Sequence, residues 1–267
     1  MQMVLERSRV LNDLIQELGL DMPPMPVTLE ELEAYRERRY AEECFYRETL
    51  DAPDLMLHDA YEAKHLPGMQ EALAAGANPD LRICWEGETL VSDAVRCGWA
   101  EGAIYLLDAG ADPLADDGNL LIQLCRVGPA HVLQKVLQMS GVSPDFDDGC
   151  DSLAVCAAES GQLECLRVLR AAGADLLPED GKVLARACAA DKPEIVRYLL
   201  EECGAPVISD YDDWTPLDFA VFHGSMECAR LLLEAGADPE YEDIIGRTPF
   251  SRAQNAAMRQ LLDGYCR

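Results

Sequence analysis

The chain is poor in positive charge, in aromatic rings and in long apolar runs, and each shortage closes off a class of function. Its 267 residues carry 22 lysines and arginines against 49 aspartates and glutamates, a formal net charge of −27. So acidic a surface repels phosphates, which argues against direct nucleic-acid binding and against docking on an anionic membrane. Aromatics make up 6% of the residues, a level that suits a core built from alanine and leucine. No apolar stretch is long enough to cross a bilayer. The start, Met1-Gln2-Met3-Val4-Leu5-Glu6-Arg7, lacks the basic head and apolar centre of a secretion signal. A cytoplasmic location is expected.

Catalytic and metal-binding patterns are also lacking. There is no phosphate-cradling glycine loop, no Gly-x-Ser-x-Gly elbow and no His-Glu-x-x-His, so no catalytic residues are assigned and no enzyme is expected. The 11 cysteines are scattered singly, odd in number and without a Cys-x-x-Cys pair, which reads as reduced structural thiols. His58, His65, His131 and His223 stand apart from one another and from any cysteine at zinc spacing. Asp145, Asp147, Gly149 and Asp151 imitate the start of a calcium loop, yet its twelfth position, where a glutamate is required, is Cys156. No metal and no cofactor is expected.

What the chain does have is a recurring phrase. Gly76-Ala77-Asn78-Pro79, Gly110-Ala111-Asp112-Pro113, Gly173-Ala174-Asp175 and Gly236-Ala237-Asp238-Pro239 are close copies. Gly141-Val142-Ser143-Pro144 and Gly204-Ala205-Pro206 are looser ones, and successive glycines stand 31 to 34 residues apart. A period near 33 is the mark of a stacked helical repeat. The fullest copy runs Trp214-Thr215-Pro216-Leu217-Asp218-Phe219-Ala220, Gly224, Leu231-Leu232-Leu233, Gly236-Ala237-Asp238, and Thr248-Pro249 repeats Thr215-Pro216. The logic is local. Thr215 caps a helix, Pro216 tolerates its first turn, and Gly236 ends the second helix in the left-handed conformation before Pro239 blocks its continuation.

This pattern closely resembles the ankyrin repeat family, over roughly residues 55–262. The resemblance implies an all-α solenoid of helix–turn–helix units, six plus a truncated seventh, starting near Leu55, Thr89, Asn119, Ser152, Lys182, Thr215 and Thr248. The mid-repeat glycine position is filled by Gly98, Gly128, Gly161 and Gly224, and by Lys64 and Asp191 in two units. The linker from Asp175 to Lys182 is about three residues short, so its loop should be tighter. Cys165 and Cys228, 63 residues apart, fall at matching positions of the second helix, as small buried residues do.

Residues 1–50 lie outside the repeats and form a separate helical extension, with residues 51–267 as the repeat domain. Val4 to Leu18 reads as an amphipathic helix, Met22-Pro23-Pro24-Met25-Pro26 as an extended linker, and Thr28 with Glu31 as the capping box of a second helix reaching about Thr49. Two readings are open here: the pair covers the end of the solenoid, or it docks another chain.

In the family, partners are held by the loops between repeats and by the exposed positions of each first helix. Carried over, those positions are Trp85, Glu86, Glu88 and Arg96; Asp116 and Arg126; Asp148, Asp151 and Glu159; Glu179; Tyr211, Asp212, Trp214, Phe222 and His223; and Ile244, Ile245 and Arg247. The combination is an acidic concave strip with an apolar anchor toward its C-terminal end, set against the alternative that Tyr211 and Trp214 pack on the adjacent loop. The expectation is a monomeric protein-interaction module for a protein partner with a basic surface, of an inhibitor or immunity type. A scaffold joining two partners is the alternative, and an enzyme of unknown type a minor one.

Overall fold

The computed structural model describes residues 46–83, 87–147, 149, 151–178, 181–208, 211, 213–243 and 245–266. They are helical, and among them β-type pairing is limited to isolated contacts such as Asp147 with Ser152 and Tyr211 with Trp214. The described residues divide into two compact units, one holding residues 46–78 with 82, 83 and 87, the other residues 79–81 and those from 88 onward.

The first unit contains a helix pair, α1 (Ala52–Glu62) and α2 (Leu66–Ala74). The Asp51 carboxylate accepts the Asp54 N–H at 3.0 Å and starts α1, three residues ahead of the expected Leu55. The two helices meet through Leu57, Tyr61, Met69 and Ala72, all buried. Residues 46–49 form a helical turn held to this pair. The Tyr46 hydroxyl donates to the Arg82 carbonyl (2.7 Å), and the Arg47 guanidinium reaches Asp59, Glu62 and the ring of His58. The rest of the N-terminal extension lies outside the described residues.

The second unit is a stack of helix pairs. Its first helices are α3 (Leu90–Arg96), α5 (Asn119–Arg126), α7 (Leu153–Ser160), α9 (Lys182–Ala189), α11 (Pro216–His223) and α13 (Pro249–Arg252). Its second helices are α4 (Ala100–Asp108), α6 (Ala130–Ser140), α8 (Leu163–Ala171), α10 (Pro193–Tyr198), α12 (Met226–Glu234) and α14 (Ala256–Asp263). Each first helix packs on the next, α3 through α13, and α4 through α12 pack likewise behind them. Ala94, Ala154, Ala187 and Ala220 are buried in the first row, where a small side chain lets backbones approach. Between the rows lie Leu106, Leu121, Leu124, Leu133, Leu166 and Leu169, each fully buried and each stabilising by about 1.5–3 kcal/mol.

The starts of the first helices alternate. Thr89, Ser152 and Thr215, at intervals of 63 residues, each accept a backbone N–H from three residues on, as does Thr248. Gly118 and Gly181, also 63 apart, stand at the intervening starts in the left-handed conformation, with no side chain to cap. The loops before them are the short ones. Before Lys182 the Gly181 N–H bonds the Pro178 carbonyl at 2.8 Å, and before Asn119 the Asp117 and Asn119 N–H groups bond the Leu114 and Asp116 carbonyls at 3.1 Å each. Phe146, from the longer loop that follows, lies against Gly118, where a Cβ would come within 2.4 Å of its ring.

The mid-repeat turn is left-handed at Gly98, Gly161 and Gly224, and also at Lys64 (φ 51°) and Asp191 (φ 53°), so these two side chains accept the strain that glycine avoids. Gly128 fills the same register for a different reason. It is not left-handed, but a Cβ there would sit 2.6 Å from the Leu124 Cα. After α10 the chain widens into a π turn, Leu199–Cys203, before left-handed Gly204. Arg167 clamps that turn through both Glu202 oxygens (3.1 and 2.9 Å) and stacks 4.8 Å from the Tyr198 ring centre.

Candidate protein-binding face

Several of the expected contact residues are gathered on the first helices, and most of their charge is already paired. Glu88 holds Arg96 at 2.6 Å, and Arg96 also binds Asp93. Asp116 accepts the Ser92 hydroxyl and the Leu120 N–H (3.3 Å), so it organises the start of α5. Asp151 is bound by Lys182 (2.9 Å) and lies 3.7 Å from Arg186, and Arg186 bonds Glu159 at 3.2 Å. Arg126 is exposed, and its carbonyl accepts the Gln162 amide at 3.1 Å. Trp85, Glu86, Asp148, Glu179, Asp212 and Ile244 lie outside the described residues.

The C-terminal end of this face is aromatic. Tyr211 and Trp214 exchange backbone hydrogen bonds (3.1 and 3.0 Å) across a turn in which Asp213 is left-handed. Trp214 meets Phe219 at 5.3 Å and Phe222 edge-on at 5.1 Å, Tyr211 meets Phe219 at 5.9 Å, and Phe222 meets His223 at 5.3 Å. Spacings of 219, 222 and 223 put three of these rings on one side of α11. Tyr211, Trp214 and Phe219 are half-buried, whereas Phe222 is 44% exposed and Ile245 63% exposed.

Beneath the rings lies an ion triad. The Arg252 side chain, 5% exposed, donates to Asp218 (2.7 Å) and Asp243 (2.5 Å), which are 2% and 3% exposed, and its guanidinium stacks 4.5 Å from the Trp214 ring centre. Asp218 also accepts the Thr215 N–H (2.9 Å) and hydroxyl (2.7 Å), closing the cap of α11. Burial works against ionisation of Asp243. The N–H groups of Arg247 and Ile245, with the guanidinium groups of Arg252 and Arg247, outweigh it and push its carboxyl down to about 2. Trp214 thus packs inward on a buried cation and on Phe219, and the surface offered outward is that of Phe222 and Ile245.

One further cluster has the composition of a metal site. Ligand atoms of His58, Asp59 and Glu62 lie within 4.8 Å of one another. The Arg47 guanidinium bonds all three side chains, so this cluster already has its cation.

Helix pairs in register, left-handed exit glycines and loops linked from repeat to repeat now stand beside a match of residues 155–243 to the family model for ankyrin repeats in three copies. Over residues 155–243 the repeats are ankyrin repeats, and the stack as a whole has the fold of ankyrin repeat domains. The ankyrin repeat domain of human ASB11 superposes with a TM-score of 0.68 at 24% identity, over 78% of this chain and 96% of that one. The ankyrin repeat domain of Bcl-3, a member of the IkappaB family, gives 0.62 at 22% identity, over 80% and 100%. In sequence the chain is 29% identical to the Arabidopsis thaliana E3 ubiquitin-protein ligase KEG over 219 residues, 73% of this chain and 13% of that protein. It is 31% identical to the mouse nuclear factor NF-kappa-B p105 subunit over 177 residues, 55% of this chain and 18% of that protein. The chain therefore spans only a small part of these relatives. Ankyrin repeats are protein-interaction modules, and among the described residues no helix is long and apolar enough to cross a membrane.

Within this ankyrin stack the unbalanced acidity lies in the loops. Residues 112–118, 143–152, 175–181, 206–215 and 238–248 hold 17 acidic residues and one basic residue, Arg247. The loops are stitched side by side, with the Asp175 N–H on the Asp145 carboxylate at 2.8 Å and the Asp112 N–H on Asp80 at 2.7 Å. Sequence reasoning missed Phe219, Lys182, Arg186 and Arg252. The helical spacing of 219, 222 and 223, and of 182 and 186, was a usable signal for the first three. Nothing local marked Arg252, which pairs with a residue 34 positions away.

Proposed function

We propose that this chain is a protein-binding module that captures a partner through the exposed face of its first helices, anchored on α11 and the adjoining loop. One observation carries the reading: Phe222 stands exposed, edge-on to a Trp214 ring that Arg252 braces, and Ile245 stands exposed in the adjoining loop. Large apolar side chains held rigidly at a surface bind at low entropic cost, as interface anchors do. The acidic loops beside them suit a partner with a basic surface, whose encounter they would accelerate. A module that covers a basic surface with carboxylates acts as an inhibitor of it, of the kind an immunity protein is for a toxin. Free, buried thiols, with Cys165 pushed up to about 11 and Cys228 to about 12 chiefly by burial, suit the reducing cytoplasm. The role assigned is binding rather than catalysis.

The test is affinity capture from the source cell with the wild type and with Phe222→Ala/Ile245→Asp as parallel baits. A protein retained by the first and released by the second, at least about tenfold weaker in a direct titration as for a lost anchor, is the expected outcome. Equal retention by both baits would remove this surface from the interface.

The scaffold reading draws on a separate feature. A cavity of about 460 Å³ opens between α6 and α8, lined by Gln134, Leu137, Gln138, Arg167, Val168, Ala171 and Ala172. A second partner seated there would leave the α11 face free.

A further inference from the structure

The acidic loops and the aromatic face of α11 are contiguous in the chain, since Tyr211, Asp213 and Trp214 belong to one loop that leads directly into the helix. Within this region the protein brings a cation to two of the rings. The Arg252 guanidinium stands 4.5 Å from the Trp214 ring centre, between the carboxylates of Asp218 and Asp243. The Lys182 ammonium stands 5.8 Å from the Tyr211 ring centre while bound to Asp151. The same arrangement, a cation between a ring face and a carboxylate, thus occurs twice. Phe219 and Phe222 have no such cation among the described contacts, and of the two Phe222 is the exposed one, at 44%. Among the described residues the two adjoining loops contribute Asp213, Asp238, Glu240, Glu242 and Asp243, and the single basic residue Arg247 is itself bound to Asp243.

We propose that the open position is completed by the partner, and that it is completed by arginine: the α11 face takes an arginine-bearing segment of a protein, with a guanidinium laid on Phe222 and neighbouring guanidiniums bridged to the loop carboxylates. This rests on the reading of α11 as the anchoring face and adds the chemistry of what it holds. Arginine fits better than lysine for three reasons. Its planar group stacks on a ring, it is more weakly hydrated, and it can meet a carboxylate along its edge while its face stays on the ring. A compact ammonium keeps its water and gains mainly from the net charge. An acidic or phosphate-bearing ligand is repelled by the loops.

The experiment uses the full chain and three synthetic peptides of equal length, alternating leucine with arginine, with lysine or with glutamine, titrated calorimetrically at low and moderate salt. The arginine peptide is expected to bind about tenfold more tightly than the lysine peptide, in line with the stacking advantage of guanidinium. Phe222→Ala should erase that difference while leaving the melting temperature near that of the wild type, and Asp213→Asn should weaken both charged peptides together. Arginine and lysine peptides of equal affinity, both indifferent to Phe222→Ala, would overturn the inference and leave the loops as a plain polyanion. A glutamine peptide that binds as well as the arginine peptide and is lost with Phe222→Ala would also overturn it, but would keep α11 as an apolar anchor. Failure of all three peptides to bind, with Phe222→Ala without effect on partner capture, would overturn both.

Discussion

At the scale of the residue, the decisive contacts are those that a charge count hides. Arg252 is buried between two carboxylates and under an indole, so it is structural in a region otherwise suited to binding. A buried ion pair adds little by comparison with an apolar substitute, but removing one member leaves an unpaired buried charge and is strongly destabilising. Asp243 gives this a pH signature. Its carboxyl is held at about 2 in the folded chain and titrates near 3.9 when unfolded, so its stabilising effect is complete above about pH 4 and is lost as pH falls through about 2. Asp243→Asn should therefore melt below the wild type at pH 7, and the gap should close as both are taken toward pH 2. A gap that stays constant across that range would show that ionisation of Asp243 contributes nothing.

At the scale of the element, helix starts and ends were legible because they depend on two or three adjacent residues. Thr215-Pro216 and Thr248-Pro249 cap helices where the sequence placed them, and Gly76, Gly110, Gly173 and Gly236 are left-handed at the exits. The start of α1 was displaced because Asp51 and Pro53 do there what Thr-Pro does elsewhere. The charge of the first helices was misjudged for a physical reason. Sequence shows carboxylates one by one, whereas their pairing with Lys182, Arg186 and Arg96 is set by packing between and along helices. The contact of Phe146 with Gly118 was equally out of reach, since it joins a loop to the preceding helix start. Gly118→Ala should cost about 1–3 kcal/mol as an overpacked site, with added strain from a left-handed alanine. Gly141→Ala, left-handed with open space around its Cα, supplies the strain without the collision. Comparable losses for the two in chemical denaturation would mean that Phe146 yields freely.

At the scale of the whole molecule, the repeats act in twos. Helix starts capped by a hydroxyl alternate with helix starts made by glycine from Thr89 to Thr215, and long loops alternate with short ones. Stability in such arrays is nearly a sum over units and their interfaces. Removing residues 152–214 should therefore leave a shorter array that still unfolds cooperatively, because it joins like to like. Denaturation of the shortened chain decides this, and a transition that splits into two steps would contradict it.

The alternation also sets a ruler. Neighbouring helices in a packed row lie about 8–10 Å apart, so like loops recur about every 16–20 Å. An extended chain advances about 3.3 Å per residue. A segment laid straight along the row would return to an equivalent loop roughly every five or six residues, and a binding sequence with that beat is what such a surface would select.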